Sequence, residues 1–213
     1  MSFSQHLARI SLEIGAIQIN AQNPFTWASG YRMPIYNDNR LLLGNAEYRA
    51  QIAGSLKAVL ESHHWPVDVI AGVATAGIPH ATSLANLMGL PLIYVRPAPK
   101  SHGMKNQVEG ILHSGQKVIM VEDLISTGGS AIQAVQAVRE AGGQVAHCLA
   151  IFSYGFPEAE RGFREAQCGL HTLLTLESLL RFAEEKGTLG PEERQIITSW
   201  AHNPFEWGKS RGF

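Results

Sequence analysis

The 213-residue sequence has neither the many cysteines that mark disulfide-rich proteins nor the excess of positive charge that marks nucleic-acid-binding proteins. It has only two cysteines, Cys148 and Cys168, which argues against a disulfide framework and suits a reducing compartment. Lys and Arg number 17 against 18 Asp and Glu, so no excess of positive charge indicates a nucleic-acid-binding surface. We therefore expect a cytoplasmic protein that binds no nucleic acid.

Long apolar runs are also missing. The longest apolar stretch, residues 84–95, is interrupted by Asn86 and Pro91 and is too short to cross a bilayer. The first residues lack the basic segment and apolar core of a secretory signal. We expect no membrane contact, and a chain of this length can bury the core of a single domain, residues 1–213.

Apolar periodicity alternates between helical and strand patterns and predicts an α/β fold. Helices are predicted over residues 3–14, 46–63, 78–88 and 131–141, in a stretch after residue 152, and twice near the C-terminus. Strands are predicted over residues 67–73, 92–96, 117–122, 144–152 and 170–174. This order predicts a central, mostly parallel sheet flanked by helices, with ligands outside the carboxyl ends of the strands.

The most informative segment is residues 118–130. An apolar strand leads to two adjacent carboxylates, Glu122 and Asp123, and then to the Ser/Thr/Gly run 126–130. Backbone N–H groups and hydroxyls of this run, at the positive end of the following helix, suit a phosphate. The carboxylates would then face a group rich in hydroxyls, as in ribose 5-phosphate. An ordinary buried strand and turn is the alternative, but it gives the paired acids no packing role.

The connection over residues 97–110 is long for a compact domain and has no apolar period. From Arg96 to Glu109 its net charge is +2, since Arg96, Lys100 and Lys105 outnumber one acid. A mobile cationic loop that closes over a polyanion such as a diphosphate explains this composition. A solvated surface loop is the alternative.

Several of these stretches resemble the type I phosphoribosyltransferases, and within that family the orotate phosphoribosyltransferases. The matching stretches are the phosphoribosyl-diphosphate (PRPP) motif at 118–130, the diphosphate loop at 72–79, the catalytic loop at 94–103, and the hood signature at 25–30 and 34–40. The resemblance extends over most of residues 20–130 and is specific, because it joins four separate motifs.

The resemblance implies Mg²⁺-dependent transfer of the 5-phosphoribosyl group from PRPP to N1 of orotate, giving orotidine 5′-phosphate and diphosphate. It implies a homodimer with shared active sites. It also implies two parts within the chain: a hood formed by about residues 1–45 and the C-terminal segment, and a core of about residues 46–175. Mg²⁺ would be held mainly by PRPP, not by protein ligands. Association with the decarboxylase of the next step is possible. A purine phosphoribosyltransferase and a non-catalytic PRPP-binding regulator are the alternatives.

Roles of individual residues follow from the resemblance. Lys100, His102 and Asp123 are implied as catalytic residues. The implied substrate-binding residues are Ser29, Gly30, Ala74, Thr75, Ala76, Arg96, Lys100, His102, Glu122, Asp123, Leu124, Ile125, Ser126, Thr127, Gly128, Gly129 and Ser130. Residues 74–76 would offer backbone N–H groups to the diphosphate, with a non-proline cis peptide among them, and Ser126 would also lie near the orotate.

The sequence departs from the family in its charges. Some members have lysines at the positions of Ala28, Ala76 and Pro97, which leaves more of the phosphate charge here to Arg96, Lys100 and Mg²⁺.

An arginine that contacts orotate in some members is also missing, from the stretch 151–156. Backbone N–H groups near Ser29 and Gly30, or the side chain of Arg32, are then candidates for the orotate carboxylate.

Overall fold

A computed structural model describes residues 2–27, 29–98 and 107–212. The helices in these ranges are α1 (Phe3–Glu13), α2 (Ala46–His63), α3 (Gly77–Met88), α4 (Gly129–Glu140), α5 (Pro157–Glu165), α6 (Leu176–Glu185), α7 (Pro191–His202) and α8 (Pro204–Ser210), with a 3-10 helix at Asn39–Gly44. The strands are β1 (Ile17–Ile19), β2 (Phe25–Thr26), β3 (Arg32–Met33), β4 (Ile35–Asn37), β5 (Val69–Val73), β6 (Leu92–Val95), β7 (Val108–Glu109), β8 (Lys117–Ile125), β9 (Gln144–Ser153) and β10 (Gly169–Thr175).

Six strands form the central sheet, in the order β10-β9-β8-β5-β6-β7. All neighbours in this sheet are parallel except β6 and β7, which are antiparallel. Every residue of β5 is buried, as expected of a strand that has helices over both faces. The predicted fold class, a mostly parallel sheet flanked by helices, is confirmed.

The two faces of the sheet carry separate apolar clusters. Ile70 and Val121 face a large cluster that also contains buried residues of α1, α2, α3 and α6. Val69 and Ala71 face a smaller cluster that contains buried residues of α4 and α5. Alternation of neighbouring strand residues between the two clusters is the two-residue period of a β-strand, so the layers follow directly from the sequence pattern.

The N-terminal and C-terminal segments pack against each other. Helix α1 contacts α6, and α8 contacts β3. Trp200 of α7 is fully buried, and its Nε1 lies 2.9 Å from the Sδ of Met33 in β3. Its ring also makes edge contacts with Trp27 and Tyr154. This aromatic packing joins the two ends of the chain into one structure.

Three helices follow β10, not the two that the sequence predicted. The additional boundary lies between α7 and α8, where Asn203 ends one helix and Pro204 starts the next. A proline has no N–H to continue a helix but is well placed in the first turn of a new one. The pairs β1–β4 and β2–β3 were also missed, because strands of two or three residues are too short for a periodic signal.

Two chemical details of the chain also bear on the sequence predictions. Cys148 and Cys168 are both free and buried. None of the helices within the described residues is long and apolar enough to span a bilayer.

Candidate active site

The site is built at the carboxyl end of β8. Pairing of β8 with β5 stops at Val121, opposite Gly72, whereas pairing with β9 continues to Ile125, opposite Ser153. The last residues of β8 therefore have a neighbouring strand on one side only. The sequence placed the two acids at the end of a strand over 117–122, but the strand runs to Ile125, so both acids belong to the strand and take its rigid backbone.

Glu122 is the buried member of the acidic pair, with 7% of its surface exposed. Its Oε1 accepts a hydrogen bond from the backbone N–H of Asp123 at 2.9 Å. Burial, and then the neighbouring Asp123 carboxylate, raise the pKa of Glu122 well above its usual range. Burial therefore favours the protonated form of Glu122 in the free protein.

Asn39 fixes the backbone of Asp123 from outside the sheet. Its Nδ2 donates a hydrogen bond to the carbonyl oxygen of Asp123 at 2.7 Å, and Asn39 is only 2% exposed. From sequence alone, Asn39 has no role beyond its place in the hood signature. The available signal was the polar run 37–40 directly after an apolar strand. Asn39 is a positioning residue, because it acts on the backbone of a site residue and not on a ligand.

Arg40 brings a positive charge to the same edge of the sheet. Its Nε and Nη2 donate to the two carboxylate oxygens of Asp38 at 2.6 and 2.8 Å. This pairing lowers the pKa of Asp38 and raises the pKa of Arg40. The charge of Asp123 also helps to raise the pKa of Arg40. The guanidinium is thus held in one orientation by Asp38, close enough to Asp123 for their charges to interact.

The Ser/Thr/Gly run forms an open turn before α4. Gly128 has a φ of 80°, and α4 begins at Gly129 without a side-chain cap on its N-terminus. A Cβ at Gly128 would lie 3.1 Å from the ring of Phe163 in α5, so both conformation and packing require glycine here. Thr127 and Ser130 are exposed. The uncapped N–H groups of α4 are free of side-chain partners and suit an anion.

The loop after β5 lies directly beside this turn. Its Ala74–Thr75 peptide bond is cis, as the resemblance implied for this loop. Helix α3 starts at Gly77 without a side-chain cap, and a Cβ at Gly77 would lie 2.5 Å from the carbonyl oxygen of Val121 and 3.3 Å from Oε1 of Glu122. Glycine at residue 77 therefore allows α3 to start in contact with the acidic end of β8.

Arg96 sits at the base of the long connection. Its backbone N–H donates to the Gln107 carbonyl at 2.9 Å, and the Gln107 side chain donates back to the Arg96 carbonyl at 2.7 Å. The Arg96 guanidinium is 3.4 Å from the Glu109 carboxylate. One surface pocket is lined by Ala74, Arg96 and Ser130 together, so the structure brings three of the sequence-predicted site segments to one place. Lys100, His102 and Ala28 lie outside the described residues.

The donors of the hairpin formed by β2 and β3 bond within the hood itself. The N–H of Gly30 donates to the Trp27 carbonyl at 2.8 Å, inside the turn between β2 and β3. The Arg32 guanidinium donates to the Pro24 carbonyl at 3.2 Å. Two of the candidate partners for the orotate carboxylate are thus already engaged within the hood, and Ser29 is exposed in the same turn.

Comparison with known proteins agrees with this geometry. The phosphoribosyl transferase domain matches residues 43–165. The orotate phosphoribosyltransferases of Cytophaga hutchinsonii and Listeria innocua are 43% and 45% identical to the chain over 209 residues, which is 98% of this chain and all of each relative. The chain belongs to the orotate phosphoribosyltransferase family. The crystal structure of the family member from Aeropyrum pernix, 32% identical, superposes with a TM-score of 0.73 over 86% of this chain and 99% of that one.

Family membership confirms the resemblance found in the sequence. The roles of individual site residues stay predictions, although the structure places the acids, the two loops and Arg96 at one edge of the sheet. Among the described residues, no group of three or more His, Cys, Asp or Glu side chains is arranged to hold a metal ion.

Proposed function

We propose that the protein transfers the 5-phosphoribosyl group from PRPP to N1 of orotate and releases orotidine 5′-phosphate and diphosphate. The observation that carries this assignment is the similarity to orotate phosphoribosyltransferases over 98% of the chain. The geometry supports it, because two anion-binding loops follow the adjacent strands β5 and β8 and a pair of acids lies between them.

The ribose 5-phosphate half of PRPP fits the end of β8. Residues 126–130 and the N-terminus of α4 offer N–H groups and hydroxyls to the phosphate. Asp123 and Glu122 then lie upstream, where the ribose hydroxyls can donate to them. Of the two, Glu122 is the weaker acceptor in the free protein, because burial favours its protonated form.

The diphosphate half fits the loop at 74–76. Backbone N–H groups in this loop suit the phosphate oxygens, and Arg96 lines the same pocket. The loop contains no lysine, so Arg96 and Lys100 supply the protein's positive charge to the leaving group. Mg²⁺ bound to PRPP would supply the rest. Within β8 the acidic oxygens at the carboxyl end are those of Glu122 and Asp123, which fits an ion held by its substrate with few protein ligands.

The chemistry needs no covalent nucleophile. N1 of orotate attacks C1 of the ribose, the bond from C1 to the diphosphate oxygen breaks, and the proton of N1 is released with the departing diphosphate. Positive charge develops on the ribose ring while negative charge develops on the leaving group, so fixed charges and hydrogen-bond donors stabilise the transition state. The carboxylate at the end of β8 faces the ring, and the cationic loop faces the diphosphate.

The remaining parts of the proposal concern assembly and location. We place the enzyme in the cytoplasm as a homodimer in which each subunit contributes its loop to the partner's site, without nucleic acid or membrane as a partner. Association with the decarboxylase that consumes orotidine 5′-phosphate is compatible with this arrangement. Two free, buried cysteines suit a reducing compartment.

A base-dependent assay of diphosphate release tests the function. With PRPP and Mg²⁺, orotate should be consumed while adenine, hypoxanthine and uracil are poor substrates. Turnover of a purine base at a rate comparable to orotate would identify a purine enzyme instead. PRPP binding without consumption of any base would favour the non-catalytic regulator.

A further inference from the structure

Two histidines come together on the strands β9 and β10, away from the carboxyl ends where the active site lies. β10 is the edge strand of the sheet, and its Gly169 is paired with His147 of β9. Since side chains alternate along a strand, His171 lies on the same face as Gly169. His147 and His171 are therefore diagonal neighbours on one face, with a residue that has no side chain between them.

The spacing of the two rings is unusual for a hydrogen bond. Nδ1 of His147 and Nε2 of His171 are 3.4 Å apart, beyond the usual 2.7–3.2 Å range for N–H donors. Two imidazole nitrogens that bind one tetrahedral ion at roughly 2.0–2.1 Å are about 3.3–3.4 Å apart. We propose that His147 and His171 form a binding site for a divalent transition-metal ion of the Zn²⁺ class, with water completing the coordination.

Gly169 keeps the space beside both nitrogens open. A Cβ at this position would lie 2.9 Å from Nδ1 of His147 and 2.9 Å from Nε2 of His171. Any larger residue would push the two rings apart or fill the gap between them. Both histidines are partly exposed, so an ion and its water ligands have a path from solvent.

Trp65 holds the two imidazoles in place. Its ring stacks on His147 at 3.8 Å between centroids with a 13° interplanar angle, and lies 4.3 Å from the ring of His171. His63 stacks on Trp65 at 4.4 Å. A ligand pair fixed by packing loses little conformational freedom on binding an ion.

The surroundings set the class and strength of the site. Imidazole pairs suit Zn²⁺, Cu²⁺ and Ni²⁺, but the 3.4 Å spacing favours the tetrahedral geometry of Zn²⁺. Lys117 and Arg139 line the neighbouring cavity of about 580 Å³ together with His147. Two neutral ligands beside two cations give weaker binding than a structural zinc site with four protein ligands. Occupancy would link β10 to β9 and so stabilise the edge of the sheet.

Zinc titration of the untagged full-length protein tests the site. After treatment with a chelator, isothermal titration with ZnCl₂ at pH 7.5 should show one ion per chain, accompanied by a change in Trp65 fluorescence. His171→Gln and His147→Gln should each weaken binding by at least the roughly tenfold that loss of a supporting partner costs a metal site. His202→Gln, an exposed histidine of α7, should bind as the wild type does.

Gly169→Ala provides a test that keeps both ligands. The added methyl group should reduce zinc affinity although both imidazoles remain, and circular dichroism would show whether the sheet is intact. Trp65→Phe should still bind zinc but lose most of the fluorescence change. Absence of saturable binding by the wild type, or wild-type affinity in both His147→Gln and His171→Gln, would overturn the proposal and leave a purely structural histidine pair.

Discussion

Replacement of His80 by leucine should reduce the loss of stability that the protein undergoes in acid. His80 lies in α3 and is 1% exposed, and neither ring nitrogen has a hydrogen-bond partner among the described residues. Burial lowers the pKa of His80 from 6.5 to about 4. Between pH 6.5 and pH 4, His80 is therefore protonated in the unfolded chain but not in the folded chain. The free energy of unfolding falls as the pH falls through this range.

The magnitude follows from the two pKa values. Each pH unit within the window is worth up to about 1.4 kcal/mol for one proton. Between pH 7.5 and pH 5 the linkage from a pKa near 6.5 to one near 4 amounts to about 2 kcal/mol. His80→Leu lacks this contribution, so its free energy of unfolding relative to wild type should rise by about 2 kcal/mol over the same interval. Loss of two unpartnered polar atoms should add a pH-independent gain.

Urea unfolding followed by tryptophan fluorescence at several pH values measures the difference. Protein concentration must be the same for both proteins, because association of subunits changes apparent stability. His147 and His171 remain in both proteins, so the difference between them isolates His80. His202→Gln serves as the control and should run parallel to the wild type. Parallel curves for His80→Leu and wild type would show that His80 is solvated or partnered in the folded state.

Four further experiments test the site. Asp123→Asn should lower kcat/KM for PRPP by the equivalent of roughly 1.5–3 kcal/mol, the scale of a hydrogen bond to a charged group, with little change in Tm; full activity, or melting far below wild type, would mean a structural role. When equal amounts of Asp123→Asn and Lys100→Ala chains reassort, half of the dimers contain one chain of each variant. If sites are shared across a two-fold interface, each of these heterodimers has one intact site, so activity should recover to roughly a quarter of wild type. No recovery would mean that both residues act in the site of a single chain. Asn39→Ala leaves the Asp123 carbonyl without its donor and should reduce kcat more than Tm, whereas Asn86→Ala, which removes an exposed side-chain amide on α3, should change neither. The free energy of unfolding of Glu122→Gln, measured by urea unfolding, should rise relative to wild type as the pH rises from 5 to 8. In the wild type, Glu122 ionises above about pH 4.5 only in the unfolded chain, because the folded protein keeps it protonated. A difference between the two proteins that does not change with pH would refute the raised pKa.

The sheet and its helices could be predicted because their signals are local. The continuous apolar runs in β5 and β8, and the helical period of α2, each lie within one stretch of sequence. The end of β8 could not be predicted in the same way. The chemical pattern placed the acids where the strand ends, but pairing with β9 alone extends the strand to Ile125.

Contacts between residues far apart in the chain could not be predicted from the sequence either. Asn39 and Asp123 are 84 positions apart, and nothing local indicates that an amide in the hood binds a carbonyl in the sheet. The pairing of His147 with Gly169 depends on the register of two strands, which only the folded structure fixes. The roles of Arg32 and Gly30 as candidate carboxylate partners were drawn from residue type, without knowledge that both already bond within the hood.

The adjacency of β5 and β8 sets a length scale for the ligand. Neighbouring strands are about 4.8 Å apart, and the contact of Gly77 with the Val121 carbonyl leaves no room for the start of α3 to move closer to β8. The two anion loops are therefore separated by a distance that loop sequence cannot adjust. Insertions on either side of the sheet could lengthen the hood or the cationic loop freely, but a strand inserted between β5 and β8 would double the gap and leave no molecule of ribose size able to reach both loops.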